Sequence, residues 1–335
     1  MKPAPALWKA AQVGAGILLV VLLAWGTTYL ADRRAEERAP QGWIVRRDLG
    51  NLQSLVLQQD TVWTGGVNGL FKLDRRTGSL QDPGAGAAGL GFVHDLLVDR
   101  QGRLWIAREA GVTRYDGSNW ETLDEASGVP PGPVFALLED RDGAIWAGRQ
   151  EGVLQIRPHA TVSLGRQDGI AMGPVDVLFQ DTQGRLWIGS SDPRHGGLAV
   201  IDGAGLRAYS TADGLVHPSI TGVTETRDGT VWVGSGFGSA GGANRLTDGN
   251  RFVAMTRNDG LAGDKVRNIH EDKLGRLWFC SEYDGVAIFA GGARRRLLTT
   301  ADGLAGAEVK KIVEDGDGAY WLATDGGLTR IPSLD

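Results

Sequence analysis

The chain has 335 residues with 51 glycines, one cysteine and a formal net charge of −5. One cysteine excludes an intrachain disulfide framework, and a mildly acidic chain without a basic stripe argues against nucleic acid as a partner. Glycine without a collagen-like period marks many tight turns between short apolar runs.

The first element in chain order is the uncharged run over residues 10–30, AAQVGAGILLVVLLAWGTTYL. Its length is close to the roughly 20 residues that cross a bilayer as helix. Trp8 precedes it, and Trp25 and Tyr29 lie near its far end, matching the interfacial preference of amphipathic aromatics. The expectation is a cytoplasmic tail over 1–9, a transmembrane helix acting as signal anchor over 10–30, and a linker over 31–41. A cleaved signal peptide is the competing reading, with Ala24-x-Gly26 as a small-x-small cleavage site. The apolar run continues past that site, which favours the anchor. Lys2 and Lys9 precede the span and Arg33, Arg34 and Arg38 follow it, so the positive-inside count does not decide orientation.

From residue 42 onward the chain repeats. Tryptophan recurs at Trp63, Trp105, Trp146, Trp187, Trp232, Trp278 and Trp321, at intervals of 41 to 46 residues. That is the period of one small antiparallel sheet repeated as a propeller blade. The predicted fold is all-β, a seven-bladed β-propeller over 42–335 preceded by a single amino-terminal transmembrane helix. Residues 92–124 show one repeat in full. Strands are expected at Phe92–Val98, Arg103–Ala107, Val112–Tyr115 and Asn119–Leu123, separated by turn residues. Both faces of a blade pack on neighbours, which explains continuous apolar runs such as VFALL.

An Asp-x-x-Gly turn recurs at Asp99, Asp140, Asp181, Asp272 and Asp315. A short carboxylate accepts a backbone N–H two residues on, and glycine supplies the left-handed turn position. A calcium-loop reading of EDGDGAYW fails for want of the twelve-residue ligand set. The tryptophans read as packing between blades, with a sugar-binding array as the sharper alternative. Cys280 reads as a small buried apolar residue. His94, His159, His195, His217 and His270 are scattered, so neither a metal site nor a cofactor is expected.

The two ends complement each other. After Trp321 the chain supplies a third strand but no fourth. Trp43 in GWIVRRD matches Trp120 in NWETLD. Strand 42–47 is therefore expected beside Gly327–Ile331 in the last blade, leaving no open edge at the seam.

The order DGL, then V..I.ED..GRLW, then G(V/L).R resembles the two-component regulator propeller repeat. The DGL element stands at Asp168-Gly169-Ile170, Asp213-Gly214-Leu215, Asp259-Gly260-Leu261 and Asp302-Gly303-Leu304, with weaker versions at Gly89-Leu90 and Gly128-Val129. The resemblance implies a periplasmic sensor propeller of the kind that precedes hybrid histidine kinases. It carries no universal catalytic residue over. One ring stands where the family often has two, and no kinase sequence follows Asp335, so relay through a separate protein is expected, a histidine kinase or an envelope complex. The periplasmic habit of the family favours a single-pass inner-membrane protein with its propeller facing the periplasm.

Loop lengths suggest where a site would be. Glycine opens the third strand six residues after the tryptophan at Gly69, Gly111, Gly152 and Gly327, but ten residues after it at Gly197 and Gly242. Both lengthened loops fall on one face of adjacent blades, where function concentrates more than in scaffold. They offer Asp192, Arg194, His195 and Phe237. Glu282, Tyr283 and Asp284 come from blade six, Arg149 and Glu151 from blade three, and His217 from the connection between blades four and five. The expected occupant is a small polar ligand or a protein partner. Three function classes stay open: a non-enzymatic binding or sensor module, favoured here; an assembly scaffold; and a lyase or lactone hydrolase, for which no spacing motif brings acid and base together. Surface-loop drift is the plain alternative for the long loops.

Overall fold

In a computed structural model, residues 39–334 are described apart from 158, 159, 171 and 249. The expected tail, transmembrane helix and most of the linker lie outside the described residues, as does His159. Seven four-stranded antiparallel sheets follow one another around the ring. The strands of the second blade run Val93–Val98, Leu104–Arg108, Gly111–Tyr115 and Trp120–Leu123. Each lies within one residue of its sequence expectation.

The seam closes as the tryptophan match implied. Ile44–Arg46 pairs antiparallel with Gly327–Ile331, Ile44 opposite Arg330 and Arg46 opposite Leu328. The last blade thus takes its outer strand from the start of the chain. Trp43 packs beside it against the core that blades six and seven share.

Taper toward the axis dictates the residues of the second strands. There, Gly65, Ala107, Gly148, Gly189, Gly234, Cys280 and Ala323 occupy one equivalent register position opposite the inner strand. A methyl built on Gly148 would stand 2.2 Å from the Val175 carbonyl oxygen of the next blade, and one on Gly234 would stand 2.7 Å from that of Val266. Inner strands of neighbouring blades approach so closely that only small residues fit between them. Cys280 fills one of these slots, fully buried, and burial pushes its thiol far above the ordinary range. It is a packing residue and a poor nucleophile.

Further from the axis the gap widens and the tryptophans fill it. Trp63, Trp187, Trp278 and Trp321 are fully buried. Each turn aspartate does more than close its hairpin. Asp99 Oδ1 accepts the backbone N–H groups of Gln101 at 3.0 Å and Arg103 at 2.8 Å, while Oδ2 accepts the Trp105 indole N–H at 2.7 Å. The same indole-to-aspartate bond recurs from Trp146, Trp187, Trp278 and Trp321. The turn face is also laced circumferentially. Arg141 Nη2 donates to the Asp181 carbonyl oxygen of the next blade at 2.7 Å, and Lys273 Nζ to that of Asp315 at 2.6 Å. The opposite face bears the connections between blades.

Candidate functional site at the channel mouth

The DGL elements position this second face. Each forms a short 3-10 turn, as at Thr211–Asp213 and Thr300–Asp302, whose aspartate accepts the backbone N–H three residues earlier. The glycine that follows is left-handed, φ 99° at Gly214, and a methyl there would meet the Phe252 carbonyl oxygen at 2.2 Å. The turn therefore docks on the outer strand of the next blade and aims the chain at the axis.

On arrival, the inner strand is irregular at its second residue. Six blades show a register shift there, at Gln53, His94, Phe135, Thr221, Arg267 and Lys310. In blade four the equivalent is Asp176, just before the paired Val177. A bulge re-aims a side chain, and all seven of these line a cavity of about 300 Å³ at the mouth of the central channel. This position carries seven different side chains, and so does the next one along each inner strand, from Ser54 to Lys311.

The mouth has distinct sides. Blades two and three contribute an aromatic one: the His94 ring lies 4.5 Å from Phe92 and 5.0 Å from Phe135, centroid to centroid. Burial depresses the His94 pKa, only partly offset by Glu109, whose Oε1 is 2.9 Å from Nε2. Blades six and seven contribute a basic one. Arg267 Nε lies 2.9 Å from Glu308 Oε1, and Lys310 Nζ lies 2.6 Å from Asn51 Oδ1 and 3.4 Å from Glu308 Oε2. Burial lowers the Lys310 pKa, opposed by Glu308. Between these sides, Asp176 is pushed up to about 6 by burial, against hydrogen bonds from the Ser191 hydroxyl and backbone N–H.

The ten residues expected from loop lengths do not share one pocket. His217, Phe237, Glu282 and Tyr283 gather around a residue missed in the sequence, Lys265. Its Nζ is 2.6 Å from Glu282 Oε2 and 5.9 Å from the Phe237 ring centre. His217 is depressed by burial and then by Lys265, and its Nδ1 accepts the Ser219 N–H at 3.0 Å. Glu282 raises the phenol of the exposed Tyr283. This cluster forms the rim just outside Arg267.

Asp192, Arg194 and His195 lie elsewhere. Asp192 Oδ1 accepts the backbone N–H groups of His195 and Arg194, both at 2.7 Å, which lower its pKa. The His195 carbonyl accepts the Gly173 N–H at 2.8 Å, so the loop folds over the connection between blades three and four. Asp284 points outward to Arg257, at 2.8 Å. Arg149 and Glu151 line a separate groove of about 330 Å³ with Pro131 and Pro133, and burial lowers the Arg149 pKa. The lengthened segment of blade five is a taller hairpin where a loop was expected. Val231–Phe237 pairs with Ala240–Leu246 up to Phe237 opposite Ala240, so Phe237 stands on a raised tip, 54% exposed. Its many glycines suggested a loop, yet Gly236, Gly241 and Gly242 allow two backbones to pair in close contact. Among the described residues no group of three or more His, Cys, Asp or Glu side chains could hold a metal ion.

Comparison with known proteins agrees with this architecture. Residues 170–192, the inner half of blade four, match the two component regulator propeller model. No match was found among the curated proteins. The extracellular domain of a hybrid two component system, BT3049 from B. thetaiotaomicron, superposes with TM-score 0.68 at 16% identity, over 84% of this chain and 40% of that one. A virginiamycin B lyase from Staphylococcus aureus with quinupristin gives 0.64 at 14% identity, over 88% and 98%. YCF48 bound to a D1 peptide gives 0.61 at 13%, over 88% and 96%. At such identities the likeness is one of fold. This chain thus carries a two component regulator propeller repeat in a seven-bladed ring, and it spans less than half of the BT3049 domain.

Proposed function

We propose that this chain is a non-enzymatic binding propeller of a sensor system, tethered to the inner membrane by residues 10–30 with its ring in the periplasm. It takes its ligand at the channel mouth and reports occupancy to a separate protein. The observation that carries this reading is the variable ring. Seven unlike side chains converge on one cavity, while the recurring tryptophans and turn aspartates hold the fold together. Concave polar sites with a few convergent groups are the usual form of ligand pockets. Binding is favoured over catalysis because the carboxylates at the mouth are already committed. Asp176 is held by Ser191, and Glu308 by Arg267 and Lys310. Among the described residues neither has a free histidine beside it to complete an acid–base pair. The rim at Lys265, Glu282 and Tyr283, with the raised Phe237, is suited to contact a partner loop once the mouth is filled.

The test is a thermal-shift screen of small metabolites on the full chain, repeated with Phe135→Ala and Arg267→Gln. Compounds that stabilise the wild-type ring should lose their effect in both variants and be recovered chemically unchanged. Hits that ignore both substitutions would place binding elsewhere, and a consumed hit would make the protein an enzyme.

A further inference from the structure

We infer that the channel mouth selects a small organic anion, a carboxylate or a phosphate, seated with its charged head against blades six, seven and one and its less polar body toward Phe135. This deepens the ligand-binding reading of the same cavity and rests on it.

The inference comes from an inventory of donors and acceptors. The carboxylate acceptors around the mouth are used up by the fold. Asp95 accepts from the Ser54 hydroxyl at 2.8 Å and from the backbone N–H groups of Leu96 at 2.9 Å and Leu137 at 3.0 Å. It thereby staples the inner strands of three successive blades. Both oxygens of Asp176 face Ser191, and both of Glu308 face cations. The donors are not used up. Among the described residues, the side chains of Gln53, Asn268 and Lys311 make no hydrogen bond, and Arg267 engages only its Nε, leaving its two terminal nitrogens free.

These four donors lie on three consecutive blades and line the same cavity. Two carry full positive charge. All four are only partly buried and so are open to a ligand, and a guanidinium fork matches the planar or tetrahedral oxygens of carboxylate and phosphate. Across the channel the wall includes the apolar Phe135, Ala136, Val177 and Gly222, with the carboxylates of Asp95 and Asp176 beside them held by hydrogen bonds. A cavity of about 300 Å³ lies at the lower end for small-molecule sites, and an anion of citrate size suits it.

The experiment measures binding of four probes to the detergent-solubilised full chain by calorimetry at low salt: citrate, inorganic phosphate, glucose and spermidine. Citrate or phosphate should bind saturably, glucose and spermidine should not. Lys311→Met should weaken the anion by about tenfold, as expected for loss of one charged hydrogen-bonding partner. Because Lys311 makes no hydrogen bond within the fold, its variant should keep the wild-type melting temperature, and Arg267→Gln serves as a second, independent variant. Citrate without phosphate would identify a carboxylate site, and the reverse a phosphate site. Absence of saturable binding by either anion, or equal binding to both variants, overturns the inference. If glucose or spermidine binds instead and Phe135→Ala abolishes it, the mouth remains the site and the anion is wrong. Binding untouched by any mouth variant sinks both readings.

Discussion

The indole N–H of Trp105 donates to Asp99 Oδ2 at 2.7 Å, across the hairpin turn that Asp99 opens. One carboxylate thereby fixes the turn, through two backbone N–H groups, and also the rotamer of the largest side chain in the blade. Arg103 Nε completes the set at 2.6 Å. Asp99→Ala would strand several buried donors at once, so a loss of about 3 kcal/mol is expected in urea unfolding. Blade five is the natural control. Thr226 stands where blades two, three, four, six and seven have aspartate, and Trp232 is less buried there. Thr226→Ala should cost at most about 1 kcal/mol. Equal losses at the two positions would remove the special role of the aspartate.

Acid stability follows from the same carboxylates. Burial alone would raise Asp99, Asp140 and Asp272, but the hydrogen bonds from Trp105, Trp146 and Trp278 and from nearby backbone outweigh it and hold all three below the ordinary value of 3.8. A depressed folded pKa stabilises above the unfolded pKa, and the gain is lost as pH falls through the folded one. Melting temperature should therefore drop steeply below about pH 4. Asp140→Asn should flatten that drop, as read by melting curves between pH 3 and pH 6.

Asp176 has the opposite sign. Its pKa of about 6 lies above the ordinary value of 3.8, and burial is the main cause. Its contribution to stability is complete below the unfolded pKa and fades as pH rises through about 6. Asp176→Asn should be indistinguishable from wild type near pH 4 and more stable at pH 7.5. Neutralising this carboxylate also removes a negative charge facing Arg267. At pH 7.5 the asparagine variant should therefore bind citrate more tightly than wild type, and the two should converge at pH 5, where wild-type Asp176 is itself largely neutral.

The seam offers a test of closure. Removing residues 42–47 should lower cooperativity and expose an unpaired edge at Gly327–Ile331, with aggregation on warming. Trp43→Ala keeps the strand but loses packing against the shared core of blades six and seven. A loss of about 2 kcal/mol is expected, measured by near-ultraviolet circular dichroism melts. No loss would mean that the strand alone closes the ring.

Orientation can be read directly. A reporter active only in the periplasm, fused after Asp335, should be active in cells and remain with the membrane fraction. Inactivity of a well-expressed fusion would overturn the periplasmic placement. A mature amino terminus near residue 27 would show cleavage instead of anchoring.

The ring was legible because blades repeat. Seven tryptophans and their glycine turns mark each hairpin, and the match of Trp43 to Trp120 located the strand that pairs with Gly327–Ile331. Channel chemistry was hidden for the same reason. It resides at two adjacent positions of each inner strand, as at Lys310 and Lys311, where the repeats disagree, and attention to what recurs passes over it. Comparing the second residue of every inner strand would have brought Asp176 beside Arg267. Loop length found Glu282 and Tyr283 at the rim but also gathered Asp192 and Arg149, because length says which face a residue is on and not how far from the axis. Lys265 was missed since its importance comes from Glu282, a partner in another loop, and Phe237 rose on a hairpin because glycine permits pairing as readily as it permits a loop.

Ring closure has a consequence for biosynthesis. Ile44 and Arg330 pair across almost the whole chain, whereas strands within the other six blades pair with near neighbours in sequence. During translation the outer strand of the last blade is made first and its partner last. Each of the first six blades can form as it leaves the ribosome or translocon, yet Trp43 and its strand must wait, uncovered, until residue 331 emerges. The final, slowest step of folding is then a long-range docking event, and the nascent propeller is most vulnerable to misassembly in the interval just before its last blade arrives.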